Sequence, residues 1–410
     1  MPISAIRWHR RSRMPTAVAL TTALALVLSG CGAAATEPGR DADPRASASP
    51  GAEGGRDGVL RAAVRRLAAQ GDAPGAAVLI RREGGGTRYL ASGVADVRTG
   101  RRIHRNDHFR AGSLTKTVIA AVTLRLAAQR RLGLGDTVEE HLPGLVRGQG
   151  NDGRTITIRQ LLNQTSGLFD YTADPVLARQ LSAAAARTRT PASLVRTAVA
   201  HRPYFAPGAG WRYSNTNYVL LGMVVRRVTG RSYAAEARRD VLAPLRLHGT
   251  SFPGARTTLP DPHGRAYTRD GGAGDGGARR DVTDLNPSSA GAAGELISTL
   301  DDLTRLLPGL LRGKVVPRAE LRQMRNTSAS DGRYGMGLFP VRLACGVTLW
   351  GHNGEINGSY ALAVTAPDGR HSLAYRLNST AASGLTAETS LLEAEFCPRR
   401  QDTRPPPTAG

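Results

Sequence analysis

Apolar positions change their period along this chain, and the changes mark out its elements. Leu60, Val64 and Leu67 share one helical face until Gly71 breaks the pattern. Residues 76–82 and 87–95 then read as two strands joined by a Gly84-Gly85-Gly86 turn. The middle third is helical. Residues 114–131 carry Val118, Ile119, Val122 and Leu126, a shorter run lies at 158–163, and 217–229 is closed by Gly230. Strand character returns at 346–352, 359–365 and 372–377, with Pro367-Asp368-Gly369 as the hairpin turn between the last two. A helix at 387–396 follows. Residues 271–278 form a glycine-rich loop expected to be mobile. There is no internal repeat. Strands at both ends with helices between predict an α/β (α+β) fold: one sheet built from both chain ends, flanked by helices, with an inserted all-helical lobe.

The first thirty residues follow a different logic. Arg7, Arg10, Arg11 and Arg13 precede an apolar run at 17–28 that is too short to span a bilayer, so residues 1–30 read as an export signal. Leu28-Ser29-Gly30-Cys31 resembles a bacterial lipobox, which implies that Cys31 is acylated and becomes the mature N-terminus. Plain secretory cleavage is the alternative. Arg10-Arg11 leaves a twin-arginine route open, and Met14 a later start. Residues 31–56, with no large apolar side chain, are expected to be a disordered tether. Residues 57–397 form one domain, and the Pro-rich residues 398–410 a disordered tail. These features predict an exported protein anchored by lipid to the outer face of the cell membrane, or else secreted.

Charge and cysteine usage narrow the partners. The formal charge of +22 becomes +18 without residues 1–30, which carry four arginines and no acid. Such a surface favours anionic envelope polymers or lipid headgroups. No basic stripe interleaved with aromatics points to nucleic acid. With Cys31 lipidated, Cys345 and Cys397 remain as a pair and suggest one disulfide. Closing a loop of about fifty residues would stabilise the fold by about 4 kcal/mol in the chain-entropy picture. There is no Cys-x-x-Cys and no His-Glu-x-x-His, so neither metal nor cofactor is expected.

The candidate chemistry starts from a bias. Of 55 lysines and arginines only Lys116 and Lys314 are lysine. A merely cationic position would have become arginine, whereas lysine can lose its proton near neutral pH when buried. Lys116 lies three residues after one of 23 serines, a spacing that chance supplies about 0.1 times in 410 residues. Ser113 sits where extended residues 107–110 give way to the apolar helix, so its Oγ and the Lys116 amine meet on one face. The helix N-terminus favours an oxyanion there. Tyr213 and Asn215 in Trp211-Arg212-Tyr213-Ser214-Asn215 point the same way in an extended segment. The phenol can shuttle a proton, and the carboxamide can bind lysine and substrate. In Trp350-Gly351-His352-Asn353-Gly354-Glu355, Gly354 would let a substrate backbone approach. The Glu355 amide could join that of Ser113 as an oxyanion hole.

These three elements, in this order, resemble the penicillin-recognising serine hydrolases: serine D-Ala-D-Ala carboxypeptidases, class C β-lactamases and related esterases. Ser113/Lys116, Tyr213/Asn215 and His352/Gly354 match the family's Ser-x-x-Lys, Tyr-x-Asn and Lys/His-Thr/Ser-Gly motifs. The resemblance extends to residues 109–113, 161–168 and 334–338. It implies the β-lactamase/D,D-peptidase fold and a Ser113 acyl-enzyme. The implied substrate is a peptidoglycan-type D-Ala-D-Ala peptide, and the implied protein a monomer. A β-lactamase, an esterase, a D-amino-acid peptidase or amidase, and a non-turnover penicillin- or muropeptide-binding protein are the alternatives. In the resembling carboxypeptidases an arginine grips the substrate's terminal carboxylate where this chain has Phe339; Arg342 would point to the opposite face. Asn353 replaces a hydroxyl residue that helps bind that carboxylate, and Gln164 replaces a histidine. His352, with its ordinary pKa near neutrality, is expected to be partly charged. Acyl transfer should survive these departures, with a weaker grip on a carboxylate.

Overall fold

The computed structural model describes residues 50–182, 187–269, 277–380 and 386–398. The expected signal, Cys31, most of the tether, most of the glycine-rich loop and the tail beyond Pro398 lie outside these.

The hairpin of β1 (Gly75–Arg82) and β2 (Gly86–Gly93) turns through Gly84 and Gly86, both at positive φ. β3 (Phe109–Gly112) leads to the nucleophile segment. Two short ladders follow, β4 (Arg147–Gly148) with β5 (Asn151–Asp152) and β6 (Tyr267–Arg269) with β7 (Arg279–Asp281). β8 (Leu296–Ser298) pairs with β3. β9 (Phe339–Arg342), β10 (Thr348–Ile356), β11 (Ser359–Thr365) and β12 (His371–Leu377) complete the main sheet. That sheet has six strands in the order β2-β1-β12-β11-β10-β9, all antiparallel neighbours. β12 adds directly to β1, with Val78 opposite Tyr375, so the two chain ends do build one sheet.

Both faces are buried, and alternation along each strand divides them. Val78, Ile80, Leu362, Val364 and Leu373 pack with Leu60, Val64 and Leu67 of the helix Pro50–Gln70 and with Leu391 of the helix Thr386–Phe396. On the other face Ala77, Ala361, Ala363 and Ala374 belong to the core that contains Val118, Ile119 and Val122 of the helix Thr115–Ala128. Small side chains on that face admit closer approach to the layer that carries the site. Helices Ile158–Leu162, Pro191–Val199 and Asn215–Thr229 belong to the inserted lobe. The last ends at Gly230 in the left-handed region, a conformation glycine adopts without strain. Thr157 and Gln160 form a capping box on the first.

Two boundaries differ from the pattern-based expectation. The first helix begins at Pro50, so residues 50–56, expected in the tether, are helical. Proline suits a first helical turn, where its missing N–H costs nothing. β10 runs four residues beyond His352 to Ile356. Asn353, Gly354 and Glu355 look like a turn by composition, but they pair with Leu362, Ala361 and Tyr360. Cross-strand pairing overrides propensity here. A disulfide joins Cys345 to Cys397, tying the C-terminal helix to the β9–β10 connection.

Candidate active site

Ser113 lies between β3 and the helix Thr115–Ala128, nearly buried at the floor of a cleft of about 530 Å³. Two neighbouring hydroxyls lock the turn. Thr115 Oγ1 donates to the Gly112 carbonyl at 2.6 Å and accepts from Leu296 N at 2.9 Å, so β8 is fastened to the nucleophile segment. Thr117 Oγ1 donates to the Gly337 carbonyl at 2.7 Å. Gly337 has φ +69°, and a Cβ there would stand 2.7 Å from the Lys116 carbonyl. Gly337 therefore supports the helix from behind, while Tyr334 packs against Tyr213 and His352.

Lys116 is fully buried, and its Nζ meets Ser113 Oγ at 3.0 Å, Asn215 Oδ1 at 2.8 Å and the Ala293 carbonyl at 2.6 Å. Burial pushes this amine down to about 7, with Asp170 acting against the shift. The two carbonyl-type oxygens can only accept. In the neutral amine they take both N–H groups and leave the lone pair for the Ser113 hydroxyl proton. Tyr213 places its ring 4.9 Å from Nζ and its hydroxyl near Ser113. Burial holds that phenol well above its usual range, so it remains protonated at neutral pH. The extended Ser214 between them turns its hydroxyl to the Phe169 carbonyl, leaving Tyr213 and Asn215 on the nucleophile's side.

Three groups have supporting roles that the sequence did not reveal. Gln164 is fully buried and its Oε1 accepts from Ser214 N at 3.1 Å and from Asn217 Nδ2, which anchors the Tyr213-Ser214-Asn215 segment. This substitution for the family histidine thus serves the scaffold. Asp170 accepts from Asn215 Nδ2 at 3.0 Å. An acid between Phe169 and Tyr171, two residues after Thr165-Ser166-Gly167-Leu168, was the available signal. The Ala293 carbonyl carries no side-chain signal at all.

The third element departs most from expectation. Gly354 is needed by the protein's own backbone. A Cβ there would stand 1.8 Å from the Ala111 carbonyl and 2.9 Å from Ser113 N, while one on Gly112 would stand 2.6 Å from Glu355 N. The glycine expected to admit a substrate backbone also lets β10 pack against the turn that carries Ser113. That contact sets the Ser113 and Glu355 amides beside each other, and both residues line the cleft. Asn353 turns to the opposite face of β10, where Nδ2 donates to Tyr360 Oη at 3.3 Å.

His352 is 1% exposed, enclosed by the rings of Phe339 (5.3 Å), Tyr334 (5.7 Å) and Tyr213 (6.5 Å). Its Nδ1 donates to the Asn353 carbonyl, which leaves Nε2 to accept from Tyr334 Oη at 3.0 Å. Burial pushes its pKa down to about 3, so the partial positive charge expected at neutral pH is absent. Phe339 occupies the inner side of β9. Arg342 is exposed and bonds the Gly332 carbonyl at 3.1 Å.

A protein-family model described as Beta-lactamase matches residues 60–395. Among solved structures, a D-stereospecific amidohydrolase from Streptomyces sp. is 40% identical with a TM-score of 0.75, covering 83% of this chain and 98% of that one. The D-amino acid amidase from Ochrobactrum anthropi SV3, complexed with L-phenylalanine amide, is 25% identical with a TM-score of 0.71 over 83% and 98%. Penicillin-binding protein 4 of Amycolatopsis lactamdurans is 30% identical over 60% of this chain and 61% of its own length. Protein flp of Staphylococcus aureus (strain COL) is 31% identical over 45% of this chain, which spans only 36% of flp. A family match over most of the chain, on a fold shared with these hydrolases, makes this protein a member of the β-lactamase family of serine hydrolases.

Proposed function

We propose that the protein is an acyl-enzyme amidohydrolase for amides and short peptides of D-amino acids, with no requirement for a terminal carboxylate on the substrate. Lys116, neutral above about pH 7, takes the Ser113 proton as Oγ attacks the carbonyl. The oxyanion that forms meets the Ser113 and Glu355 amides. The Tyr213 hydroxyl relays a proton to the leaving nitrogen, and water then releases the acid from Ser113.

The observation that carries the specificity is the neutral, ring-enclosed His352 beside Phe339, where a partly charged histidine was expected and the resembling carboxypeptidases carry an arginine. Burying a carboxylate unpaired costs several kcal/mol. Support for D-configuration is the 40% identity to the Streptomyces D-stereospecific amidohydrolase. Carboxypeptidase action on D-Ala-D-Ala peptides is the second reading, favoured by Arg187, Arg189, Arg265 and Arg280 along the cleft. The same proposal keeps the enzyme outside the cytoplasm, held by lipid on Cys31. Cys31→Ser should release it from membranes.

The deciding experiment follows Ser113 acylation by intact-protein mass spectrometry and compares kcat/KM for a D-amino acid amide, its L-isomer and a D-Ala-D-Ala peptide. The amide should be hydrolysed at least as well as the peptide, and Ser113→Ala should form no adduct. A hundredfold preference for the free carboxylate, about 2.7 kcal/mol, would establish the second reading instead.

A further inference from the structure

Lys116 is a buried amine whose three hydrogen-bond partners, Ser113 Oγ, Asn215 Oδ1 and the Ala293 carbonyl, are all neutral. An anion reaches it at one remove. Asp170 accepts from Asn215 Nδ2 at 3.0 Å through Oδ2 and 3.3 Å through Oδ1, while the same carboxamide offers its own Oδ1 to Lys116 Nζ at 2.8 Å. A carboxamide has a donor end and an acceptor end of nearly equal shape. Reversed, Asn215 would aim N–H groups at the amine and an oxygen at a carboxylate. Asp170 forbids that arrangement.

Asp170 is itself held rigidly. It is 8% exposed and caps the turn Tyr171–Ala173. It accepts from Thr172 N at 3.1 Å and Thr172 Oγ1 at 2.9 Å, and its own N–H donates to Tyr204 Oη at 3.2 Å. We propose that Asp170 is a positioning residue for acyl transfer: its carboxylate holds Asn215 acceptor-first toward Lys116, and its charge sets the pH at which that amine becomes a base. The proposal rests on Lys116 acting as the base in the function described above.

The other groups facing Lys116 do not carry this charge. The Tyr213 and Tyr218 rings lie 4.9 and 5.6 Å from Nζ, and burial keeps both phenols neutral. His352 is neutral as well. Asp170 in turn faces Lys116, Tyr171 and Tyr213. Burial raises its own pKa, and the Thr172 and Asn215 donors together with Lys116 oppose that rise.

The lysine-poor composition makes the test direct. Protein labelled with carbon-13 lysine has only Lys116 and Lys314 to report, so the Lys116 titration can be followed by NMR without substrate. Asp170→Asn keeps the size and an acceptor oxygen and removes the charge. Lys116 should then lose its proton about one pH unit lower than in the wild type, with Lys314 unmoved. The acid limb of Ser113 acylation should shift by the same amount. Asp170→Ala also frees the carboxamide and should lower the acylation kcat by a further factor of about ten, with KM little changed. Where Asp170→Asn fails to fold, Asp170→Ser retains a capping hydroxyl and gives the same reading. An unshifted Lys116 titration in a folded, charge-removed variant overturns the proposal even if acylation slows, because slowing alone is what a structural role would produce. Absence of Ser113 acylation in the wild type overturns the reading of the site, a result the titration does not share.

Discussion

Two buried nitrogen bases, Lys116 on the helix Thr115–Ala128 and His352 on β10, are handled in opposite ways. Around Lys116 the protein gathers a hydroxyl, a carboxamide and a main-chain carbonyl, and an anion stands behind the carboxamide. Around His352 it gathers three rings and two neutral hydrogen-bond partners. Burial lowers both pKa values, but the outcomes differ: Lys116 falls to about 7 and can exchange a proton at working pH, whereas His352 falls to about 3 and cannot. The contrast separates chemistry from scaffolding. A buried base does chemistry when its lone pair faces a reacting group and its pKa lies near the operating pH. With its lone pair closed by a tyrosine hydroxyl, it fastens β10 to the segment before β9.

The largest expected effect lies on the reactive side. Lys116→Arg keeps the charge but cannot deprotonate, so acylation should fall by roughly 10²–10⁴ in stopped-flow or quenched-flow measurements. Near-normal acylation by this variant would reduce Lys116 to a fixed charge. In the wild type, protonation of Lys116 removes the base, so kcat/KM should fall about tenfold per pH unit below about 7.

An intermediate effect tests the junction between the two regions. Gly354→Ala forces a methyl group against the Ala111 carbonyl and toward Ser113 N. The two amides should separate, and acylation should drop by about 10²–10³, the usual worth of an oxyanion-hole donor. Wild-type acylation at reduced melting temperature would instead show that the backbone yields without disturbing those amides.

The smallest effect is expected on the scaffolding side. His352→Gln should lower kcat/KM only several-fold and leave the acid limb where Lys116 sets it. The ratio of peptide to amide hydrolysis should stay flat between pH 5.5 and 7.5. A limb near pH 6.5 that disappears in this variant would mean that His352 titrates in contact with substrate, and the contrast with Lys116 would collapse.

Much of the reactive side was legible in the chain. A serine and a lysine three residues apart at the start of an apolar helix must share a face, and a lysine surviving among 53 arginines implies a task arginine cannot do. Tyr213 and Asn215 followed from strand alternation once Ser214 was read as extended. The third element was legible only in part: Glu355 lines the cleft with Ser113, but the charge of His352 and the direction of Asn353 differ from expectation. A His-Asn-Gly run looks like a turn until its cross-strand partners on β11 are known. The charge of a histidine likewise depends on neighbours such as Phe339 and Tyr334, which alternation alone does not bring beside it. Asp170 and Gln164 were hidden because their partners are 45 and 50 residues away.

Local periodicity, the Ser113–Lys116 spacing and the return of strand character at the C-terminal end together determined the fold class, the two-ended sheet and the pair of residues proposed as nucleophile and base. Those features depend on geometry within a few residues, or on which faces must be buried, and both are written in residue order. Only the tertiary structure decided that burial leaves Lys116 near neutral pH and His352 uncharged, that Gly354 packs against the Ala111 carbonyl, and that Asp170 stands behind Asn215. Each of these depends on desolvation or close approach between segments distant in sequence, and proton affinity and steric fit are set by what surrounds a group in space.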